Sequence, residues 1–260
     1  MEKETLQKIM QLFNDDCLKV LPTILDKSID LILTDPPYGT TQCKWDSIIP
    51  FEPMWKELKR VIKDNGAIAL FGTEPFSSHL RMSNLKQFKY DWIWNKILPV
   101  GHLICKYQPL KQTELISIFG SSSCSFNKNK KSMNYYPIMN KRDKKRKFIT
   151  NTIKSELTND HNMSKSYFRN DYKYKYPTNI INISNPRPNR LHPTQKPVTL
   201  LEYLIKTYTN ENDTVLDFTM GSGSTGVACK NLNRNFIGIE KDENYYNIAK
   251  QRIEGGFVLK

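Results

Sequence analysis

Short apolar runs that do not alternate with polar residues recur at both ends of this chain. "IDLILT" (29–34) and "AIALFG" (67–72) stand in the first half, "DTVLDF" (213–218) and "RNFIGIE" (234–240) in the last quarter. A strand that alternates can leave one face in water, but a continuously apolar one needs cover on both faces. Helical patterns lie between the runs. "EPMWKELKRVIKDNG" reads as a helix with Pro53 near its start and Gly66 after its end, and "PFSSHLRMSNL" reads as a second. "FKYDWIWNK" and "TELISIFG" read as two more strands. "PVTLLEYLIKTYT" and "GSTGVACKNLN" read as helices, and "DENYYNIAKQRI" as a closing helix with Asp242 as its N-cap. Strand, helix, strand with fully apolar strands implies an α/β domain whose parallel sheet is covered on both faces.

The middle of the chain breaks that pattern. Residues 121–176 carry 14 lysines and arginines against 4 acids, a net +10 of the +13 on the whole chain. "NKRDKKRK" (140–147) supplies Lys141, Arg142, Lys144, Lys145, Arg146 and Lys147. Aromatic residues are interleaved with the charges, among them Tyr135, Tyr136, Phe148, Tyr167, Phe168, Tyr172, Tyr174 and Tyr176. Cations for phosphate and rings for bases suit a nucleic-acid surface. A solvated, unstructured segment is the plainer reading of the same composition. The expected organisation is one α/β domain, 1–120 and 186–260, interrupted by a basic insert, 121–185.

The five cysteines are scattered and never in a CxxC pair, so neither a disulfide framework nor a metal site is expected. The first ten residues lack the apolar core of a signal peptide, and no apolar run approaches membrane-spanning length. A soluble, cytoplasmic protein is expected, with no membrane partner.

Two motifs carry chemistry. The strand 29–34 ends in Asp35-Pro36-Pro37-Tyr38-Gly39, a carboxylate, a rigid elbow and a ring. Neither proline donates a backbone hydrogen bond and both fix φ, more than ending a strand requires. In the second motif, "LDFTMGSGSTG" (216–226) follows a strand and opens a helix, with Gly221-x-Gly223-x-x-Gly226 inside it. Glu240 ends the next strand, 14 residues after Gly226. Glycines in such a turn let a ligand approach the backbone, and the acid can hold ribose hydroxyls. A nicotinamide-dependent oxidoreductase fits that fingerprint, but only 34 residues follow Gly226, too few for the rest of a dinucleotide fold and a substrate domain. The same unit also holds S-adenosylmethionine.

Taken together the motifs resemble those of the β-group amino-methyltransferases of DNA. Asp35–Tyr38 matches the family's DPPY motif, the basic segment 121–185 occupies the place of its target-recognition region, and "HPTQKP" (192–197) matches the motif that opens the cofactor half. "DFTMGSG" (217–223) matches the glycine turn, "NDDC" (14–17) the turn before the catalytic strand, and "WIWNK" (92–96) a family strand. The order of these motifs is that of the group. The chain departs from it at Phe218 and Thr219, where proline and phenylalanine are common, and at Asp15, where glycine is.

The resemblance implies a doubly wound, mostly parallel seven-stranded Rossmann-like sheet, S-adenosylmethionine as cofactor, and double-stranded DNA as substrate with its target base flipped out. It implies a homodimer as one state seen in the family. Carried over to this sequence, the cofactor-binding residues are Asp16, Asp35, His192, Thr194, Lys196, Asp217, Phe218, Thr219, Gly221, Ser222, Gly223 and Glu240, with Thr194 and Lys196 near the methionine carboxylate. The catalytic residues are Asp35, Pro36, Pro37 and Tyr38. Asp35 and the Pro36 carbonyl would accept the two hydrogens of an exocyclic amine, and Tyr38 would stack on the base. Asp35, rather than serine, favours adenine N6 over cytosine N4. A catalytically idle DNA-binding protein on the same fold is the reading from another class.

Overall fold

The computed structural model describes residues 9–39, 46–125, 132–142, 173–185, 191 and 195–255. The chain divides into a main body, 1–136 with 179–260, and a second unit, Pro137–Thr178. In the second unit β6 (Asn140–Lys141) pairs antiparallel with β7 (Tyr174–Lys175). There the Arg142 N–H donates to the Lys173 carbonyl at 2.7 Å and Nε to the Tyr174 carbonyl at 2.9 Å.

The main body is built on one sheet. In chain order its strands are β1 (Met10–Asn14), β2 (Ile29–Thr34), β3 (Ile62–Gly72), β4 (Phe88–Val100), β5 (Lys111–Phe119), β8 (Ile180–Asn182), β9 (Thr214–Asp217) and β10 (Asn235–Glu240). Across the sheet they run β1-β10-β9-β2-β3-β5-β4-β8. Pairing is parallel except on the two flanks of β5. The sheet thus has eight strands among the described residues where seven are expected. The additional strand is β8, which lies inside the expected insert and pairs with the far edge of β4, with Ile181 buried. Residues 132–136 also belong to this body. Met133 is buried, the Asn134 N–H donates to the Asn65 carbonyl at 2.8 Å, and the Tyr136 N–H donates to the Thr207 carbonyl at 2.7 Å.

Helices cover both faces, as fully apolar strands require. Leu31 and Leu33 of β2 face one core with α4 (Val198–Tyr208), α5 (Ser224–Asn231) and α6 (Glu243–Glu254). Ile29 and Ile32 face the other, with α1 (Cys17–Val20), α2 (Phe51–Val61) and α3 (Phe76–Ser83). Asp242 caps α6 as expected, its Oδ1 accepting from the N–H groups of Asn244 and Tyr245.

The helix read over 52–66 is a different object. It stops at Val61, and Ile62 is already strand, paired with Ile29 and almost fully buried. Sheet pairing and burial outweigh the helical periodicity of "IKDNG". Gly66 does not end a helix; it lies in an irregular stretch of β3, where a Cβ would come within 2.8 Å of the Asp30 carbonyl. Gly226 answers a similar need on α5. A Cβ there would meet Ile253 Cδ1 at 2.3 Å and Phe236 Cε1 at 2.8 Å. Gly226→Ala is therefore expected to destabilise the fold by about 1–3 kcal/mol through overpacking, read as a lower denaturation midpoint with an unchanged slope.

Candidate active site

Asp35-Pro36-Pro37-Tyr38 leaves the carboxyl end of β2, and the glycine turn leaves the carboxyl end of the neighbouring β9. Ligands in open α/β sheets collect beyond such ends. The two turns are tied together. Thr34 donates its hydroxyl to Asp217 Oδ1 at 3.0 Å and accepts from the Phe218 N–H at 3.1 Å. The Thr219 hydroxyl donates to the Asp35 carbonyl at 3.1 Å. Thr219, a departure from the family pattern, thus fastens the glycine turn to the DPPY turn. With no N–H on either proline, the next two backbone donors converge on Asp46, whose Oδ1 accepts from Tyr38 at 2.8 Å and Gly39 at 2.9 Å.

Between the turns lies a cavity of about 480 Å³, within the range of small-molecule sites. Asp16, Asp35, Pro36, Pro37, Tyr38, Lys196, Asp217, Phe218, Thr219, Gly221, Ser222 and Glu240 all line it. Seven carboxylates and two lysines contribute to its wall, a negative pocket in a strongly positive chain. Such a wall repels phosphate and accommodates a cationic, hydroxyl-bearing ligand.

Glu240 ends β10 with both carboxylate oxygens on backbone donors, Oε2 on the Gly221 N–H and Oε1 on the Asp242 N–H, each at 2.8 Å. Burial pushes its pKa up. A carboxylate has more acceptor sites than these donors fill, which leaves room for a ligand hydroxyl. Asp16 caps α1 through the Leu18 N–H at 2.9 Å and pairs with Lys241 at 3.0 Å. Burial pushes the Asp217 pKa up to about 7, no cation among the described residues pairs with it, and it accepts from Thr34, Thr219 and Thr225. It organises the turn more than it offers a free acceptor. Gly223, in the left-handed region at φ 76°, packs against α6; a Cβ would sit 2.8 Å from Ala249 Cβ. The Ser222 carbonyl is held by Arg252.

The structure also gathers a buried charge cluster that sequence reasoning missed in part. Lys196 Nζ bonds Asp35 Oδ2, reaches Glu114 Oε1 at 3.0 Å and lies 4.9 Å from the centre of the Phe71 ring. Glu114 Oε2 pairs with Lys96 at 2.6 Å. The Tyr38 hydroxyl donates to Asp35 Oδ1 and lies 3.1 Å from Glu114 Oε1. Lys196, expected on the cofactor's carboxylate, is thus engaged by two protein carboxylates. Burial raises the Asp35 pKa against the pull of Lys196. Burial acts the same way on Glu114, but Lys196 and Lys96 overcome it and hold the pKa down at about 2. At Lys196 burial would favour the neutral amine, and the two carboxylates outweigh it to raise the pKa. Glu114 announces itself in sequence only as one acid at the head of a strand, and Asp46 only as one acid after the DPPY turn.

His192, Thr194, Lys144, Lys145, Arg146 and Lys147 lie outside the described residues. Lys141 and Arg142 lie in the second unit, both exposed or partly exposed. Among the described residues no cluster of side chains could hold a metal ion, and no helix is long and apolar enough to cross a membrane.

A family model for N6/N4 methylases, described as DNA methylase, matches residues 29–251. The chain belongs to that family. It is an S-adenosylmethionine-dependent DNA methyltransferase. The Type II methyltransferase M2.LlaDCHI of Lactococcus lactis subsp. cremoris is 30% identical over 271 residues, covering 94% of this chain and 89% of that one. The Type II methyltransferase M.HinfI of Haemophilus influenzae is 28% identical over 286 residues, covering 97% and 71%. Among solved structures, the M1.HpyAVI–SAM complex superposes with a TM-score of 0.61 at 26% identity, over 94% of this chain and 98% of that one. The cytosine-N4-specific PvuII DNA methyltransferase shares the fold, with a TM-score of 0.62 at 16% identity over 93% and 85%.

In this methyltransferase the acidic wall fits the cofactor, whose sulfonium and ammonium are both positive. Glu240→Ala is expected to raise the cofactor Kd tenfold or more, in line with a lost charge-assisted bond of about 1.5–3 kcal/mol. Calorimetric titration checks this, and an unchanged Kd would remove Glu240 from the site.

Proposed function

We propose that this methyltransferase acts on the exocyclic N6 of an adenine swung out of duplex DNA. The observation that carries the reading is the Asp35 carboxylate at the cavity wall, one strand away from the cofactor turn. An exocyclic amine is a poor nucleophile because its lone pair is delocalised into the ring. Acceptors on both N–H bonds, the Asp35 carboxylate and the Pro36 carbonyl, draw the nitrogen toward a tetrahedral form. Bound S-adenosylmethionine supplies the electrophilic methyl group. Asp35, rather than the serine more often found in cytosine-N4 relatives, supports adenine as the base. Flipping costs a few kcal/mol, which a stack on Tyr38 at about 1–3 kcal/mol and two directed hydrogen bonds can offset.

Tyr38 and Lys196 each occupy one oxygen of Asp35, so the amine either takes a remaining lone pair or displaces one of these donors. Glu114 is placed to receive a displaced donor. Lys196 and the Tyr38 hydroxyl already reach Glu114, so Lys196 stays paired when Asp35 turns to the amine, and the Tyr38 ring, 4.9 Å from that of Phe76, becomes the stacking face. Glu114→Gln should slow single-turnover transfer while leaving the cofactor Kd within about twofold. Because the Glu114 charge is one cause of the raised Asp35 pKa, beside burial and against Lys196, its loss should move the acid limb of the pH–rate profile downward. A fixed limb would exclude this role.

The decisive assay incubates the protein with labelled S-adenosylmethionine and unmethylated DNA, then digests the DNA and identifies the base. N6-methyladenine is expected; N4-methylcytosine would move the reading to cytosine, and no label would leave an idle DNA-binding protein. Asp35→Ala should abolish transfer and keep cofactor binding. Lys141, Arg142 and the lysines and arginine at 144–147 are read as phosphate contacts. Replacing these residues with alanine should weaken DNA binding and reduce its salt slope by about 0.9 per lost contact.

A further inference from the structure

The hairpin between β4 and β5 exposes the densest group of large apolar side chains among the described residues. Ile97, Leu98, Leu103, Ile104, Tyr107 and Leu110 are all exposed, Leu103 at 99% and Tyr107 at 88%. Single exposed apolar residues are ordinary, but six within fourteen positions form a patch that calls for a partner.

Position and charge both identify the partner. The hairpin is rooted in the active site, since Lys96 on β4 and Glu114 on β5 belong to the cluster that holds Asp35 and Tyr38. Leu115 is level with Gly72 and Leu70 with Thr34, so the hairpin tip projects from the same end of the sheet as the DPPY turn. Between Lys96 and Thr113 there is no acidic residue, while Lys96, Lys106 and Lys111 are basic. The register breaks between Asn95 and Val100, and Ile97 there adopts φ 67°, a conformation that a β-branched residue rarely takes. Such irregularities turn a strand end away from the sheet. An apolar tip on a basic stem beside a pocket for a DNA base fits a duplex whose stack has been opened.

We infer that this hairpin is a wedge, with Leu103 and Tyr107 filling the gap that the target base leaves in the duplex. The inference rests on the base-flipping reading. Apolar side chains placed between base steps are an established way of holding an opened stack. The wedge keeps the base from returning while Asp35 and Tyr38 engage it.

The test uses the full-length protein with Leu103→Ala and, separately, Tyr107→Ala. The probe is a synthetic duplex carrying the site mapped on DNA methylated by the wild-type protein. A second duplex places an abasic position opposite the target base, so that little pairing opposes the flip. The wedge predicts single-turnover transfer at least tenfold slower on the paired duplex and within about twofold of wild type on the abasic one, with an unchanged cofactor Kd. Equal rates for variant and wild type on both duplexes would overturn it, as would equal slowing on both. Sedimentation of a wild-type dimer that the substitutions dissociate would instead assign the patch to a contact between two copies of the chain. Wild-type protein that methylates no DNA would refute the functional reading itself, separately from the wedge.

Discussion

The site depends on one junction, the pairing of β2 with β9. These strands lie far apart in sequence, and their carboxyl ends are locked by Thr34 and Asp217, 183 positions apart. Thr34 is fully buried, and its hydroxyl serves as donor to Asp217 and acceptor from Phe218. Thr219 repeats the connection one layer higher, on the Asp35 carbonyl. The carboxylate read as the amine acceptor and the turn read as the cofactor cradle are thereby held next to each other by backbone and short side chains, which lose little entropy when fixed.

Charge is distributed to match. The chain as a whole is strongly basic, yet the cavity wall is acidic, and the cluster behind Tyr38 balances two carboxylates with two lysines. Burying such a cluster is costly, and well-packed apolar residues would often do as well for stability. Its value lies in choice. Lys196 and Tyr38 each have two carboxylates within reach, so one carboxylate can be released without stranding either donor.

Much of the frame was legible in the sequence, because strand patterns and turn chemistry are local. The strand 29–34 and the Asp242 cap are found where the pattern puts them. What was not legible is what only tertiary structure decides. "IKDNG" keeps a helical period but joins the sheet at Ile62, and Ile180–Asn182 becomes a strand by pairing with β4. At the site, the DPPY and glycine turns announce themselves by composition, whereas Glu114 meets Tyr38 from 76 positions away. Gly223, read as room for a ligand, is used to admit α6.

The junction has a cost that is paid during synthesis. β3 and β5 follow β2 closely along the chain, but β9 can only join once residue 217 has left the ribosome. At about 5–20 residues per second the intervening 183 residues take roughly 10–35 s to make. Throughout that interval the edge of Ile29–Thr34 that β9 will cover stays bare, a template for mispairing. Nascent chains of this protein thus depend on whatever shields that edge until the last quarter arrives.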